Sequence, residues 1–146
     1  MNRMIRSPQT DKEWNHYYDL RYRVLREPWQ QARGSERNEG DAQAEHFAYF
    51  NGAEIIGVGR LDVMRPGQCQ IRFMAVDPRY QGTGIGKALM LHMEDIAWKH
   101  GAEEVILHAR EIALPFYKSL NYTLLEKSHL LFDEIQHYLM YKQHAK

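Results

Sequence analysis

A glycine-rich turn between an apolar segment and an amphipathic one constrains this sequence more than any other feature. Gly82, Gly84 and Gly86 alternate after the apolar residues 71–76 and before the helical pattern of residues 87–100. Glycine lets a ligand approach the backbone closely, and the N–H groups in the first turn of a helix have no partner within that helix. Because the helix dipole also favours negative charge there, this arrangement predicts a binding site for a phosphate.

The spacing of the glycines argues against the two commonest phosphate-binding motifs. A dinucleotide fingerprint, Gly-x-Gly-x-x-Gly, would need its third glycine where Lys87 or Leu89 stands. A P-loop would need glycine in place of Gln81, and Ser or Thr in place of Ala88. A nucleotide-binding module of another fold is therefore the weakest alternative. A plain tight turn is also disfavoured, because each additional glycine costs about 0.5–1 kcal/mol of backbone entropy.

Composition restricts the class of protein. The 146 residues are 44% hydrophobic and 12% aromatic, which predicts one globular domain over residues 1–146. Zero formal net charge gives no electrostatic reason to expect nucleic acid or an anionic membrane as a partner. No apolar run approaches the ~20 residues that span a bilayer. With Cys69 as the single cysteine and no secretory signal, we expect a cytoplasmic protein without disulfides.

Periodicity and turn residues predict alternating helices and strands. Thr10 and Glu13 form a capping box, and Asn51-Gly52 is a strong hairpin signal. The predicted helices are 10–26, 87–100 and 113–120, and the predicted strands are 3–7, 46–50, 54–63, 69–76, 105–109, 122–126 and 135–142. The strands that flank the second helix should be parallel neighbours joined by a right-handed crossover. The last two strands should form an antiparallel pair, and the polar residues 30–45 should form a loop or a short irregular helix.

The pattern Gln81-x-x-Gly84-x-Gly86 resembles the pyrophosphate loop of the GNAT N-acetyltransferases, and the order of elements is similar over nearly the whole chain. The resemblance implies the GNAT acyl-CoA N-acyltransferase fold, an α+β (α/β) fold with a mixed, mostly antiparallel central sheet and helices on both faces. It also implies acetyl-CoA as the acyl donor. The pyrophosphate would be held by the backbone of Gln81, Gly82, Thr83, Gly84, Ile85, Gly86 and Lys87. The strand at 71–76 would splay from the next strand, so that Met74, Ala75 and Val76 bind the pantetheine arm.

A second segment, Phe116-Tyr117-Lys118-Ser119-Leu120-Asn121-Tyr122, is similar to the family's Phe-Tyr-x-x-x-Gly-Phe. The resemblance implies that Tyr117 faces the CoA sulfur as a general acid. Because a phenol has a pKa near ~10 and a thiol near ~8.5, we expect a hydrogen bond to the leaving thiolate rather than full proton transfer. A packed core tyrosine is the alternative. Asn121 replaces the usual glycine, and Arg110 stands where many members have asparagine.

The acceptor is the least determined part of the prediction. An amine with a pKa near ~10.4 must lose a proton before it attacks, and histone-type members use a glutamate where Gln70 stands here. The remaining candidate bases are Glu36, Asp41, Glu45, His46, His108 and Glu111. Arg72 lies on a strand predicted to be buried, so it should bind a partner or a ligand carboxylate or phosphate. The histidines lack metal-ligand spacing, so no metal is predicted.

Several segments resemble more closely the acetyltransferase half of bacterial proteins that fuse a GNAT domain to a hot-dog thioesterase. They are Leu25-Arg26-Glu27-Pro28, Gly34-Ser35-Glu36-Arg37, Val58-Gly59-Arg60-Leu61 and residues 71–76. This resemblance adds Ser35, Glu36 and Arg37 to Arg72 and Arg110 as candidate acceptor-binding residues. We therefore expect an acetyltransferase that acts on a small-molecule or protein amine. A non-catalytic acyl-CoA-binding domain that regulates or recruits a partner is the alternative, and homodimerisation through the late strands is left open.

Overall fold

The structure is built around one mixed sheet. The computed structural model describes residues 2–145. Its strands are β1 (Arg3–Arg6), β2 (Glu45–Asn51), β3 (Glu54–Arg65), β4 (Gln68–Val76), β5 (Glu104–Arg110), β6 (Thr123–Leu131) and β7 (Ile135–Gln143), and its α-helices are α1 (Asp11–Leu25), α2 (Ile85–Lys99) and α3 (Leu114–Ser119). The strand order is β1-β2-β3-β4-β5-β7-β6, and β4 with β5 is the one parallel pair within these residues. The predicted mixed, mostly antiparallel sheet is confirmed.

Helices cover both faces of the sheet, because consecutive residues of a strand point to opposite sides. Phe47 of β2 lies in a core with Leu89 and Met93 of α2, whereas Ala48 lies in a second core with Leu20 of α1. Burial of a leucine or methionine side chain contributes about 1.5–3 kcal/mol, so each helix is fixed to its face mainly by its apolar stripe. Within residues 2–145, no helix is both long and apolar enough to cross a membrane.

Among the element boundaries that differ from the sequence prediction, two have a clear structural cause. Helix α2 begins at Ile85 rather than at residue 87, because Gly84 adopts a φ of +90° and serves as its N-cap. Strand β6 continues to Leu131 rather than ending at residue 126. It is an edge strand whose pairing with β7 shifts register between Leu124 and Glu126 and again between Lys127 and Leu130. These shifts interrupt the alternation of apolar and polar residues by which a strand is recognised.

One predicted hydrogen bond of the first helix is replaced. The Thr10 hydroxyl accepts the Glu13 backbone N–H at 3.1 Å, as expected for an N-cap. The Glu13 carboxylate does not return to Thr10; it accepts from the Gln9 backbone N–H at 2.8 Å and pairs with Arg6 at 2.8 Å. Helix α1 is thereby tied to β1.

Strands β4 and β5 diverge after a short paired stretch. Their pairing is confined to Gln68–Gln70 opposite Glu104–Ile106. On its other side β4 has a bulge, since Val58 pairs with Ala75 but Arg60 pairs with Arg72. Phe73 lies in this bulge with a φ of +55°. The splay expected between these strands is therefore present, and it opens the sheet near its centre.

Candidate functional site

The divergence of β4 and β5 creates a cavity of about 210 Å³, named here the β4–β5 crevice. By the ~30 Å³ that one water occupies in the liquid, this volume corresponds to about seven waters. Two strands and three other parts of the chain line this crevice. The strand residues are Gln70, Ile71, Arg72, Phe73 and Met74 of β4 and Leu107, His108, Ala109 and Arg110 of β5. The others are Leu25, Arg26 and Trp29 at and after the end of α1, Ala113 and Tyr117 at α3, and His129, Leu131, Ile135 and His137 of the last hairpin.

Of the predicted pantetheine-binding residues, Met74 lines the crevice, and Ala75 and Val76 follow it along β4. Val76 and Ala75 pair with Gly57 and Val58 of β3 through one edge of the strand. No β5 partner faces Met74, Ala75 or Val76, since the β4–β5 pairing ends at Gln70. The backbone edge of β4 in this stretch is therefore available to hydrogen-bond an extended ligand arm.

The glycine-rich loop presents an open helix N-terminus. The first hydrogen bond of α2 runs from the Ala88 N–H to the Gly84 carbonyl at 3.0 Å, which leaves the preceding N–H groups without helical partners. Gly82 and Gly84 have φ of +78° and +90°, and a Cβ at either would meet nothing within 4 Å. These two glycines are thus required by backbone conformation rather than by crowding.

Gly86 has a different role. A Cβ there would lie 3.2 Å from the Phe116 ring and 3.6 Å from Val76. The residue lets the first turn of α2 approach α3 and the end of β4 closely. Sequence spacing placed all three glycines in one motif, but only the structure separates the turn glycines from this packing glycine.

Tyr117 reaches the crevice from α3. Its ring is half-buried and packs edge-on against Phe116 and Tyr122, with ring centroids 5.0 and 5.9 Å away. Within residues 2–145 its hydroxyl makes no side-chain hydrogen bond, and it is not one of the fully buried polar atoms that lack a hydrogen-bond partner. Burial raises the pKa of Tyr117 to about 12, so the phenol remains neutral and can donate a hydrogen bond.

Of the six candidate bases, His108 alone lines the crevice. Its Nδ1 lies 3.0 Å from the Ser128 hydroxyl, and its ring centroid is 5.3 Å from that of His129. Burial, and then the neighbouring His129 and Arg72, lower the pKa of His108. The imidazole is therefore neutral at pH 7 and able to accept a proton.

The other five candidate bases are engaged elsewhere. Asp41 pairs with Arg21 at 2.9 Å and with Arg60 at 3.1 Å. Burial favours protonation of Asp41, but the Asn38 N–H and the two guanidiniums outweigh it and lower its pKa. The His46 ring forms hydrogen bonds with the Tyr17 hydroxyl at 2.8 Å and the Asp41 carbonyl at 2.7 Å. Each of the three glutamates also has a partner. Glu36 accepts from the Gly34 N–H at 2.7 Å, Glu111 accepts from the Tyr138 hydroxyl at 2.9 Å, and Glu45 pairs with His100.

The acceptor-binding candidates separate into two groups. Arg72 and Arg110 line the crevice, whereas Ser35, Glu36 and Arg37 do not. Arg37 pairs with Glu36 at 3.3 Å and borders a second, more open depression together with Tyr18 and His46. The Ser35 carbonyl accepts from Arg26 Nε at 3.0 Å, so this loop supports the crevice from outside.

Three basic side chains of the crevice were not among the predicted site residues: Arg26, His129 and His137. Arg26 follows the last residue of α1, and His129 and His137 come from the hairpin whose first strand was predicted too short. The His129 and His137 rings stack with centroids 4.3 Å apart. Within residues 2–145, no three His, Cys, Asp or Glu side chains are arranged to hold a metal ion.

Comparison with known proteins points to one family. The sequence model of the Acetyltransferase (GNAT) family matches residues 13–122. YjcF of Bacillus subtilis (strain 168), described as an uncharacterized N-acetyltransferase, is 31% identical over 107 residues, 73% of this chain and 76% of YjcF. A Bacillus subtilis acetyltransferase in complex with CoA superposes with a TM-score of 0.75 at 21% identity over 99% of both chains. An aminoglycoside 6'-N-acetyltransferase complexed with coenzyme A superposes with a TM-score of 0.80 at 13% identity, over 98% of this chain and 97% of that one. The structural matches confirm the predicted acyl-CoA N-acyltransferase fold.

Proposed function

The chain belongs to the GNAT acetyltransferase family, and we propose that it transfers the acetyl group of acetyl-CoA directly to an amine acceptor. The main support is one juxtaposition: the free edge of β4, the Tyr117 hydroxyl and the His108 imidazole all border the β4–β5 crevice. That crevice therefore offers a place for a thioester, a hydrogen-bond donor for its sulfur and a proton acceptor for the attacking amine.

Donor binding would use the backbone at two places. The open N-terminus of α2, with Gln81 to Lys87 around it, would hold the CoA pyrophosphate, because orphan N–H groups and the helix dipole both favour an anion. Met74, Ala75 and Val76 would bind the pantetheine arm along the free edge of β4. The thioester would then lie at the mouth of the crevice beside Tyr117.

The transfer step is addition and elimination at the thioester carbon. The amine lone pair forms the new C–N bond, and collapse of the tetrahedral adduct breaks the C–S bond. The electron pair of that bond leaves on the CoA sulfur as a thiolate. Because the pKa of Tyr117 is about 12 and that of the thiol near ~8.5, complete proton transfer would cost about 5 kcal/mol. Tyr117 therefore stabilises the thiolate as a hydrogen-bond donor.

The proton lost by the amine needs an acceptor, and His108 is our candidate. Gln70 cannot accept it, and no carboxylate lines the crevice among the described residues. His108 is kept neutral by burial and is oriented by Ser128. We propose that it takes the proton directly or through one water, which is the reach expected of a general base.

The lack of a carboxylate in the crevice is also the observation that favours a second candidate function. A domain of this family that binds acyl-CoA without turnover would need the α2 loop but no base. We propose the transferase first, because the Tyr117 hydroxyl and His108 would have no task in a domain that only binds.

The partners and setting of the protein are also proposals. We propose a small-molecule or protein amine as acceptor, a cytoplasmic location and acetyl-CoA as the donor. The segments at residues 25–28, 34–37, 58–61 and 71–76 lead us to propose a particular resemblance to the acetyltransferase half of the proteins that fuse a GNAT domain to a hot-dog thioesterase. Leu124, Leu125 and Leu130 are exposed on the edge strand β6, which supports a homodimer formed through that edge.

The test is release of CoA from acetyl-CoA, followed with a thiol reagent across a panel of amines, amino sugars, peptides and acyl carrier protein. Wild type and Tyr117→Phe are measured side by side, and acetyl-CoA affinity is measured by calorimetry. We expect acceptor-dependent release that falls at least tenfold in Tyr117→Phe while acetyl-CoA affinity stays within about twofold. Tight acetyl-CoA binding without release for any acceptor would favour the non-catalytic function instead.

A further inference from the structure

The β4–β5 crevice is unusual in its charge. Its lining contains three arginines, Arg26, Arg72 and Arg110, and three histidines, but no aspartate or glutamate among the described residues. The whole chain has zero formal net charge. Positive charge is therefore concentrated in the crevice where the acceptor is proposed to react.

The carboxylates near these arginines form their ion pairs with other arginines. Asp41 pairs with Arg21 and Arg60, and Asp62 pairs with Arg60 at 2.7 Å. The two negative charges of these acids balance the two positive charges of the deeply buried Arg21 and Arg60. Glu36 is buried against the loop backbone and pairs with Arg37.

The three crevice arginines have few partners of their own. Arg26 donates to the carbonyls of Leu25 and Ser35 at 2.9 and 3.0 Å. Within residues 2–145, Arg72 and Arg110 form no ion pair and no side-chain hydrogen bond; each guanidinium lies near an aromatic ring, Phe73 at 5.1 Å and Trp29 at 5.5 Å. A partly buried guanidinium without an anion carries a desolvation cost.

Four guanidiniums crowd one aromatic ring. Those of Arg21, Arg26, Arg60 and Arg72 lie 4.3, 5.7, 5.4 and 5.1 Å from the centroid of Phe73. Like charges at such spacing repel, and burial together with this repulsion lowers the pKa of Arg26 and of Arg72. The arrangement is stabilised if an anion enters the crevice beside them.

The phosphates of the donor do not meet this need. The proposed pyrophosphate loop, residues 81–87, contributes nothing to the lining of the crevice. The part of acetyl-CoA that would reach the crevice is its thioester, which is uncharged. An anion bound there would then come from the other substrate.

We propose that the acceptor is a small amine that carries an anionic group, a carboxylate or a phosphate, and that Arg72 and Arg110, with Arg26, bind that group. This inference rests on the proposed function and names its substrate class. Planar guanidiniums suit both oxyanions, because they donate two parallel hydrogen bonds. The anionic group lies against the arginines while the amine lies toward His108 and the thioester, so that charge recognition also orients the nucleophile.

The first measurement compares matched acceptors in the CoA-release assay. The pairs are 2-aminoethyl phosphate with ethanolamine, glucosamine 6-phosphate with glucosamine, and β-alanine with propylamine. At least one anionic member should exceed its neutral partner at least tenfold in kcat/KM, and the pairs separate phosphate from carboxylate. Arg72→Gln should reduce that ratio at least tenfold, as expected for charge-assisted hydrogen bonds. The exposed Arg65→Gln is the matched control and should keep it.

A second measurement does not depend on turnover. Calorimetry follows the binding of inorganic phosphate and of 2-aminoethyl phosphate to the CoA-loaded protein, with wild type, Arg72→Gln, Arg110→Gln and Arg65→Gln. Binding that the two crevice variants weaken at least tenfold, and Arg65→Gln does not, supports the anion site even if no acceptor turns over. Equal use of neutral amines, or anion binding that Arg72→Gln and Arg110→Gln leave unchanged, would overturn the inference and leave the transferase intact.

Discussion

Substitution of Gly84 separates the three properties that an anion-binding loop requires: conformation, space and charge. Gly84 has a φ of +90°, and a Cβ there would meet nothing within 4 Å. Gly84→Ala should therefore cost only conformational energy, about 1–2 kcal/mol of folding stability for an L-residue in the left-handed region. If the loop keeps its shape, the affinity for CoA should change little.

Gly84→Glu adds a negative charge beside the proposed pyrophosphate. If two phosphate charges lay about 6 Å away, they would repel it by roughly 1.4 kcal/mol in all at the dielectric constant of water. At an effective dielectric constant of ~20 the same repulsion is about 5.5 kcal/mol. The dissociation constant of CoA should therefore rise at least about tenfold, and by more at low ionic strength, where screening is weaker.

The assay is calorimetric titration with CoA at two salt concentrations, beside thermal unfolding of each variant. Gly84→Lys has comparable bulk and the same backbone strain but the opposite charge, so it should bind CoA more tightly than Gly84→Glu. Gly101 provides a control for strain, since it has a φ of +89° and an equally open Cβ position at the far end of α2. Gly101→Glu should lower folding stability without lowering the affinity for CoA. If Gly84→Glu binds CoA like wild type, the loop does not hold the pyrophosphate.

Three further predictions concern protonation and the core. If His108 is the base, kcat/KM should rise with pH through a pKa below 6.5, and His108→Gln should lose that acidic limb as well as rate; an unchanged pH profile would exclude His108. Burial lowers the pKa of His46, His108 and His137, so the unfolded chain binds more protons than the folded one below pH 6.5, and the melting temperature should fall as pH drops from 6.5 toward 5. A melting temperature that rises over this interval would contradict these shifts. Tyr122 donates to the buried Glu94 carboxylate at 2.8 Å, while Lys142 pairs with the same group at 2.7 Å. Tyr122→Phe should therefore cost about 1–3 kcal/mol in urea unfolding with acetyl-CoA affinity unchanged, whereas a loss below about 0.5 kcal/mol would mean that water replaces the phenol.

The sequence was most informative where one local pattern determines one local structure. The glycine spacing, the apolar strand before it and the helix after it predicted the α2 loop, because backbone conformation there depends on residues adjacent in the chain. The positive φ at Gly82 and Gly84 agrees with that interpretation. The insertion of β7 between β5 and β6 was not predicted, since it depends on contacts between residues that are remote in sequence.

Prediction was poorer where the site depends on several elements at once. Arg26, Arg72 and Arg110 come from the end of α1, from β4 and from β5. Arg72 could be suspected because it interrupts an apolar strand, but Arg26 resembles any basic residue near the C-terminal end of a helix. Asp41 shows the same difficulty, because the local sequence around this acidic residue gives no sign that Arg21 and Arg60 will pair with it.

The bulge at Phe73 relates the opening of the sheet to the cluster of arginines beside it. A phenylalanine with a φ of +55° costs on the order of 1–3 kcal/mol, and such strain persists only where the surroundings fix the chain. Here β3 pairs on both sides of the bulge, at Arg72 and at Ala75, while guanidiniums surround the Phe73 ring. The same distortion coincides with the separation of β4 from β5 and places Arg72 in the opening. A regular strand would keep β4 beside β5 for more of its length, so the backbone edge proposed for the donor and the charge proposed for the acceptor both depend on this irregular residue.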